Sequence, residues 1–345
     1  MISGLFINRP TNDEIALFGC TGNGCGPIQN VGIEDCDITG RTEVAALIAY
    51  QDDIGSETSG CHSTGSITGA RSDYNTTLAY VAGLIGYASA AVTNCYSTCT
   101  ITATHTGTGI STRGSVSECG GLIGGLYGQG DISNCYATGD ITATSENKDV
   151  NTTGGLVGQL DGYARNVTKS YSTGDVSVTA GKGTSYIGGF IGAWFLGTMS
   201  DCFSRGNVTV SAVSLIYGRI GGFCGYVQSA VVDNCYSTGL LTVTEGMSRV
   251  GGFCGSNYGT INDSFWDTET SGIETSDGGT GKTTAQMKTE ATFTDAGWDF
   301  DTIWGMRTDR NDGYAYFQWQ FPEVIRIKGN PNIDQLIYQH VERMD

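Results

Sequence analysis

Gly120-Gly-Leu-Ile-Gly124, followed by Cys135-Tyr-Ala-Thr-Gly-Asp-Ile141, is the stretch whose reading decides the fold. Its first half returns as Gly154-Gly-Leu-Val-Gly158, Gly188-Gly-Phe-Ile-Gly192, Gly221-Gly-Phe-Cys-Gly225 and Gly251-Gly-Phe-Cys-Gly255. Self-similarity at such a period marks an architecture of stacked repeats. The second half aligns on a position filled by Cys61, Cys95, Cys135, Ser170, Cys202, Cys235 and Ser264, with Cys36 as a shorter first copy. Beyond that position stand two apolar columns at strand period. One is Ile67, Ile101, Ile141, Val176, Val208 and Leu241; the other is Ala103, Ala143, Val178, Val210 and Val243. Most of these residues are β-branched, which favours strands over helices.

The Gly-Gly segment supplies a second apolar pair, from Leu84-Ile85 to Phe253-Cys254. No single repeat can bury these positions. Stacking equivalent strands at roughly 4.8 Å buries them as continuous columns. The expected fold is therefore all-β, a parallel β-solenoid of about seven or eight turns over residues 1–270. A small mixed cap is expected over 271–345. The residue before the Cys position is Asp35, Gly60, Asn94, Asn134, Asp201, Asn234 or Asp263, with Lys169 the exception. Asn, Asp and Gly tolerate positive φ, so this position is expected to turn a tight corner between strands.

Glycine accounts for 53 of 345 residues and proline for 4, which excludes collagen and Pro-rich linkers. Charged residues are only 15%, so disorder is not expected. The net charge of −17 repels nucleic acid and keeps the chain soluble. No run of eighteen apolar residues occurs, so no spanning helix is expected. The opening Met1-Ile-Ser-Gly-Leu-Phe6 has no basic or apolar leader, so any export signal is expected upstream or already removed. Spacing between repeats drifts through Thr-, Ser- and Gly-rich insertions at 104–118, 145–153 and 180–186. They share one place in the repeat and so are expected on one side, the default binding face of a repeat array. Past Ser264 the apolar pattern stops. Thr283-x-x-Gln286 fits a capping box, residues 314–327 alternate like an edge-covering strand, and Ile333, Leu336, Ile337, His340, Val341 and Met344 form a helical stripe.

The Gly-Gly-Leu-Ile-Gly and Cys-Tyr-Ser-Thr-Gly modules resemble the GLUG-motif repeats of bacterial and archaeal surface proteins. The resemblance covers about residues 4–270 and continues through Ser264-Phe-Trp-Asp-Thr-Glu-Thr-Ser-Gly272, Gly278-Gly-Thr-Gly-Lys-Thr-Thr-Ala-Gln-Met287 and Gly297-Trp-Asp-Phe-Asp-Thr-Ile-Trp304. Cys99 departs from it by replacing a Gly, and the first two copies are degenerate. The resemblance implies a right-handed extracellular or cell-surface solenoid with a structural or adhesive role.

Twelve cysteines suit an oxidising compartment. Equivalent positions in adjacent turns would lie near disulfide distance, giving Cys36–Cys61, Cys95–Cys135, Cys202–Cys235 and Cys224–Cys254 as expected bridges. Cys20–Cys25 would close a small loop and Cys99–Cys119 would pin an insertion. Reduced buried thiols are the alternative. The ring after the Cys is Tyr96, Tyr136, Tyr171, Phe203, Tyr236 or Phe265. A stacked ladder is expected, packed as structure or open as a platform for sugars. Asp140 and Asp175 stack in adjacent turns, where Ca²⁺ could bridge them; Asp309-Arg-Asn-Asp-Gly313 lacks the later ligands of a calcium loop. No other cofactor is expected. Sequons stand at Asn75, Asn151, Asn166, Asn207 and Asn262. Residues 278–283 lack the first Gly of a phosphate loop, and His62 and His105 have no repeated catalytic companion. The expected function is a non-enzymatic surface stalk or adhesin that meets a glycan or protein of a cell. A filament subunit stacking on itself end to end, and a polysaccharide-binding or polysaccharide-active β-helix, are the alternatives.

Overall fold

The computed structural model describes residues 1–22, 24–52, 54–71, 79–105, 117–145, 152–161, 166–244 and 249–321. Two compact units result, residues 1–287 and 288–345. The first is a parallel β-solenoid of about seven turns. One column of strands shows the stacking. Asp13–Ile15, Thr42–Val44, Ala79–Ala82, Ser117–Gly120 and Thr152–Gly154 follow one another in parallel register. The column continues through the ends of Val176–Gly188 and Val208–Gly221 into Arg249–Gly251.

The repeated apolar residues point inward. Ile67, Ile101, Ile141, Val176 and Val208 stack in one core column, all essentially inaccessible. Phe190, Phe223 and Phe253 stack in another at 4.8 Å between centroids. Each such side chain contributes roughly 1.5–3 kcal/mol on burial.

The two motifs face each other across this core. A Cβ on Gly121 would stand 2.1 Å from the Gly155 carbonyl oxygen and 2.6 Å from the Ala137 Cβ, so no side chain fits there. In other turns the residue opposite is a serine that donates to the second glycine's carbonyl: Ser63 to Gly83 at 2.8 Å, Ser172 to Gly189 and Ser204 to Gly222 at 2.7 Å. The serine satisfies a carbonyl that would otherwise lie buried beside the core.

The corner position behaves as expected. Gly60, Asn94, Asn134, Asp201, Asn234 and Asp263 have φ between 41° and 62°. Lys169 adopts 49° as well, so the exception in residue type is not one in backbone. The first turn needs a correction. Its corner residue is Asn30, with φ 56°. Asp35 also has positive φ, but at a bulge whose N–H donates to Thr64 Oγ1 at 2.9 Å.

The parallel sheet runs past residue 270, through Thr280–Lys282 paired on Phe265–Asp267. Trp266 explains where the regular core stops. It takes the register place of Ser237, fills the interior against Gly252 and donates its indole N–H to the Ile273 carbonyl at 3.0 Å. Buried Asp267 caps the helix Thr268–Ser271 and accepts the Thr284 hydroxyl. The capping box forms: Thr283 N–H donates to Gln286 Oε1 and Gln286 N–H to Thr283 Oγ1.

The second unit is a small aromatic cluster of Phe293, Trp298, Trp304 and Phe317 around the antiparallel pair Trp304–Gly305 and Tyr316–Phe317. Of the strand expected over 314–327, Tyr316–Phe317 is extended and Gln318–Gln320 is a 3₁₀ turn. The helical stripe at 333–344 lies outside the described residues.

Candidate functional site

All twelve cysteines are free thiols. Cys36 and Cys61 are not equivalent, which corrects the first expected pair. Cys36 stands in register with Gly65, while the place of Cys61 one turn earlier is held by Val31. The frame slips because Asp35 imitates the corner residue. Cys202 and Cys235 are register partners in adjacent turns, as are Cys224 and Cys254. Cys95 and Cys135 immediately precede the register partners Tyr96 and Tyr136 in adjacent turns. Cys119 lies in register with Val81 and Thr153, and the thiol of Cys99 meets that of Cys36. Cys20 and Cys25 are exposed in the first turns.

The column from Cys61 to Ser264 has a shared task that sequence alone left open. Each side chain donates back to the carbonyl two residues before it, around the corner: Cys135 to Ser133 at 3.2 Å, Cys235 to Asp233 at 3.1 Å, Ser170 to Thr168 at 2.8 Å and Ser264 to Asn262 at 2.7 Å. Several also accept a backbone N–H from the turn before. Cys61 N–H donates to Cys95 Sγ, Cys135 N–H to Ser170 Oγ and Cys235 N–H to Ser264 Oγ. A small donor–acceptor fastens every corner, so Cys and Ser alternate freely. Burial pushes the Cys119 and Cys135 thiols up to about 12, which keeps them protonated and unreactive at neutral pH.

The aromatic ladder forms and begins one turn earlier than expected, at His62. Rings of His62, Tyr96, Tyr136, Tyr171, Phe203 and Tyr236 stack at 4.7–5.0 Å with planes within 6°. Phe265 follows in register, with the Lys282 ammonium 5.2 Å from its ring. Face-to-face stacking occupies both faces of the inner rings. Only edges reach solvent, and the ladder is buried from Phe203 onward. A sugar needs an open face, so this ladder is structure.

Asp140 and Asp175 sit in adjacent turns, both exposed. Backbone amides fill the space between them. Asp175 N–H donates to Asp140 Oδ1 at 2.9 Å, and Asn207 N–H and Nδ2 donate to the two oxygens of Asp175. Among the described residues no group of three or more His, Cys, Asp or Glu side chains gathers as metal ligands. Three sequon asparagines are exposed and tied to an acid of the preceding turn: Asn166 to Asp131, Asn207 to Asp175 and Asn262 to Asp233. Asn75 and Asn151 lie outside the described residues.

The most perturbed carboxyl is one the sequence reading passed over. Glu118 is 1% exposed. It stands in the register column Tyr80, Glu118, Thr152, Tyr186, Arg219 and Arg249. Tyr127 donates its hydroxyl to Oε1 and in turn accepts from Gln159 Nε2 at 2.7 Å. Oε2 points at Gly125 and has no hydrogen-bond partner among the described residues. Tyr50, Tyr87 and Tyr127 stack alongside, with Tyr80 edge-on. Burial is the main cause that drives the carboxyl up to about 8, with Asp161 adding to it and the Tyr127 bond opposing it. Glu118 is thus a neutral acid at pH 7, sealed from any substrate. The signal for it was a Glu beside Cys119 at a place where the two neighbouring turns carry Tyr80 and Thr152.

With this geometry in hand, the relatives are informative. The model of the GLUG motif matches residues 116–142 and 216–244, the turns that contain Glu118 and Arg219. An Evansella cellulosilytica protein named as a Gly-rich membrane protein is 30% identical over 151 residues. That match covers 44% of this chain and 14% of the relative. A Bacteroides ovatus structure named as an immunoglobulin A1 protease aligns over 92% of this chain and 75% of its own, at 17% identity and a TM-score of 0.41. Among the described residues no helix is long and apolar enough to cross a membrane.

Proposed function

We propose that this GLUG-repeat chain is a non-enzymatic structural module of the cell surface, a stiff spacer that holds a partner-binding surface away from the cell. One observation carries the reading. The repeat columns that could have served chemistry are committed to the neighbouring turn. The thiols and serines fasten corners, the rings stack on rings, and Asp140 and Asp175 accept amides from the next turn. Such a lattice resists bending because every turn is bonded to the next along several columns. Among the described residues, the one carboxyl whose pKa is driven far from the ordinary range is closed in rather than open to a substrate. The name of the Evansella relative, a membrane protein, supports the surface location. Of the insertions expected to form a binding face, 106–116 and 146–151 fall outside the described residues, while 180–186 is no loop but part of the strand Val176–Gly188, so the reading rests on the lattice.

Antibody labelling of intact and permeabilised producing cells tests the location. Equal labelling of both is expected. Labelling that needs permeabilisation would overturn the proposal.

A further inference from the structure

The column that seals Glu118 ends in two arginines. Arg219 and Arg249 are register partners one turn apart. Parallel neighbours lie about 4.8 Å apart at the backbone, so the two charges repel. Two other arginines of this acidic chain are paired with an acid, Arg41 with Asp13 and Arg307 with Asp309. Among the described residues neither Arg219 nor Arg249 meets a carboxylate. Both are held by tyrosines instead. The Arg219 guanidinium lies 4.3 Å from the Tyr226 ring centroid and 5.1 Å from that of Tyr186. Arg249 Nη1 donates to Ser256 Oγ at 2.8 Å and to the Tyr258 hydroxyl at 3.2 Å. Tyrosine contacts fix the direction of a guanidinium but leave its charge uncompensated. Tyr258 packs edge-on to Tyr226 and is 57% exposed, so it offers an open ring beside the pair.

We propose that Arg219 and Arg249, with Tyr258, form a binding site for an acidic polysaccharide. A uronate carboxylate or a sulfate ester lies between the guanidiniums, and a pyranose face stacks on the Tyr258 ring. Paired cations favour an anion that accepts several charge-assisted hydrogen bonds. The open ring favours a sugar over a bare ion. The cationic pair also offsets the repulsion that a chain of net charge −17 would exert on an acidic glycan. The proposal deepens the surface reading and rests on it, because such glycans are met outside the cell.

Titration calorimetry of the full chain tests it. The probes are a heparin-derived octasaccharide, an oligouronate without sulfate, neutral dextran and inorganic sulfate. Binding to one or both acidic oligosaccharides is expected, and none to dextran; which of the two binds tells sulfate from carboxylate. Arg249→Gln should weaken binding roughly tenfold, as expected for one lost charge-assisted bond. Tyr258→Ala should weaken oligosaccharide binding several-fold while leaving inorganic sulfate unaffected. Both side chains are exposed and neither change threatens the core. Absence of binding to both acidic oligosaccharides, or binding untouched in Arg249→Gln and Arg219→Gln chains that melt like the parent, would overturn the proposal. The titration uses purified protein, so a failure of the surface location in cells would leave its result standing.

Discussion

Glu118 and Arg249 occupy equivalent backbone positions in one register column, yet their chemistry is opposite. Around Glu118 three stacked tyrosines from successive turns close over the side chain, and the acid stays neutral. Around Arg249 the nearest ring is the exposed Tyr258, and the guanidinium remains charged at the surface. The strand is the same; the difference lies in what the adjacent column places beside it. Where that column carries Tyr50, Tyr87 and then Gly125, there is room for a buried acid. Where it carries Tyr226 and Ser256, the arginines have an aromatic bed and an open edge. In this solenoid, a side chain's fate is set by the next strand of its own turn together with the rings stacked on that strand from adjacent turns.

The comparison breaks most severely by exchanging the two residues. Glu118→Arg should cost about 4 kcal/mol or more, because it buries a charge with no acid to meet it. Arg249→Glu should change stability by no more than about 1 kcal/mol. Urea unfolding of the two variants reads both numbers, and similar losses would mean that the two environments do not differ.

A smaller effect follows from titration. Glu118 binds its proton with a pKa of about 8 in the fold against an ordinary value of 4.5. Between those values the folded state holds the extra proton. Its contribution to stability is complete below about 4.5 and is lost as pH rises towards 8. Glu118→Gln, which is isosteric and cannot ionise, should remove that dependence and be more stable than the parent at pH 9, where the parent must bury a charge. Thermal melts at pH 5 and pH 9 give the comparison; parallel curves for both proteins would count against a sealed, neutral acid.

Smallest of all should be Cys135→Ser. Ser170 and Ser264 already fasten the same corner with the same two bonds, so a change within about 1 kcal/mol is expected. A much larger loss would show that the sulfur matters for volume or for a bridge, which non-reducing peptide mapping would then locate.

These cases also show what could be read from the chain. The Gly-Gly pair, the corner residue and the ladder were legible because each is a local rule repeated in most turns. Steric exclusion at Gly121 and the backbone at Asn134 depend on little else. Cys36 misled because a bulge at Asp35 has the same residue type and the same sign of φ as a true corner. Lys169 turns the corner without the expected residue type, since stacking on Asn134 and Asp201 imposes the conformation. Glu118 and the arginine pair were illegible for another reason. Their environments combine the next strand of the same turn, such as Tyr127 beside Glu118 and Tyr258 beside Arg249, with rings one turn away such as Tyr80 and Tyr186, and these places carry a different residue type in each turn. Trp266 was visible as a residue, but its role as a plug required knowing that it replaces Ser237 in the interior.

The central claim is that bonding between successive turns makes the solenoid one stiff body. Hydrogen exchange read by mass spectrometry across residues 1–287 tests it most directly. The account predicts that the ladder strands from Tyr96 to Tyr236 are protected to a common, high level, with fraying confined to the terminal turns. Fast exchange in the turns around Glu118 and Tyr127, between protected neighbours, would contradict it, because the molecule would then be two short solenoids joined by a weak turn.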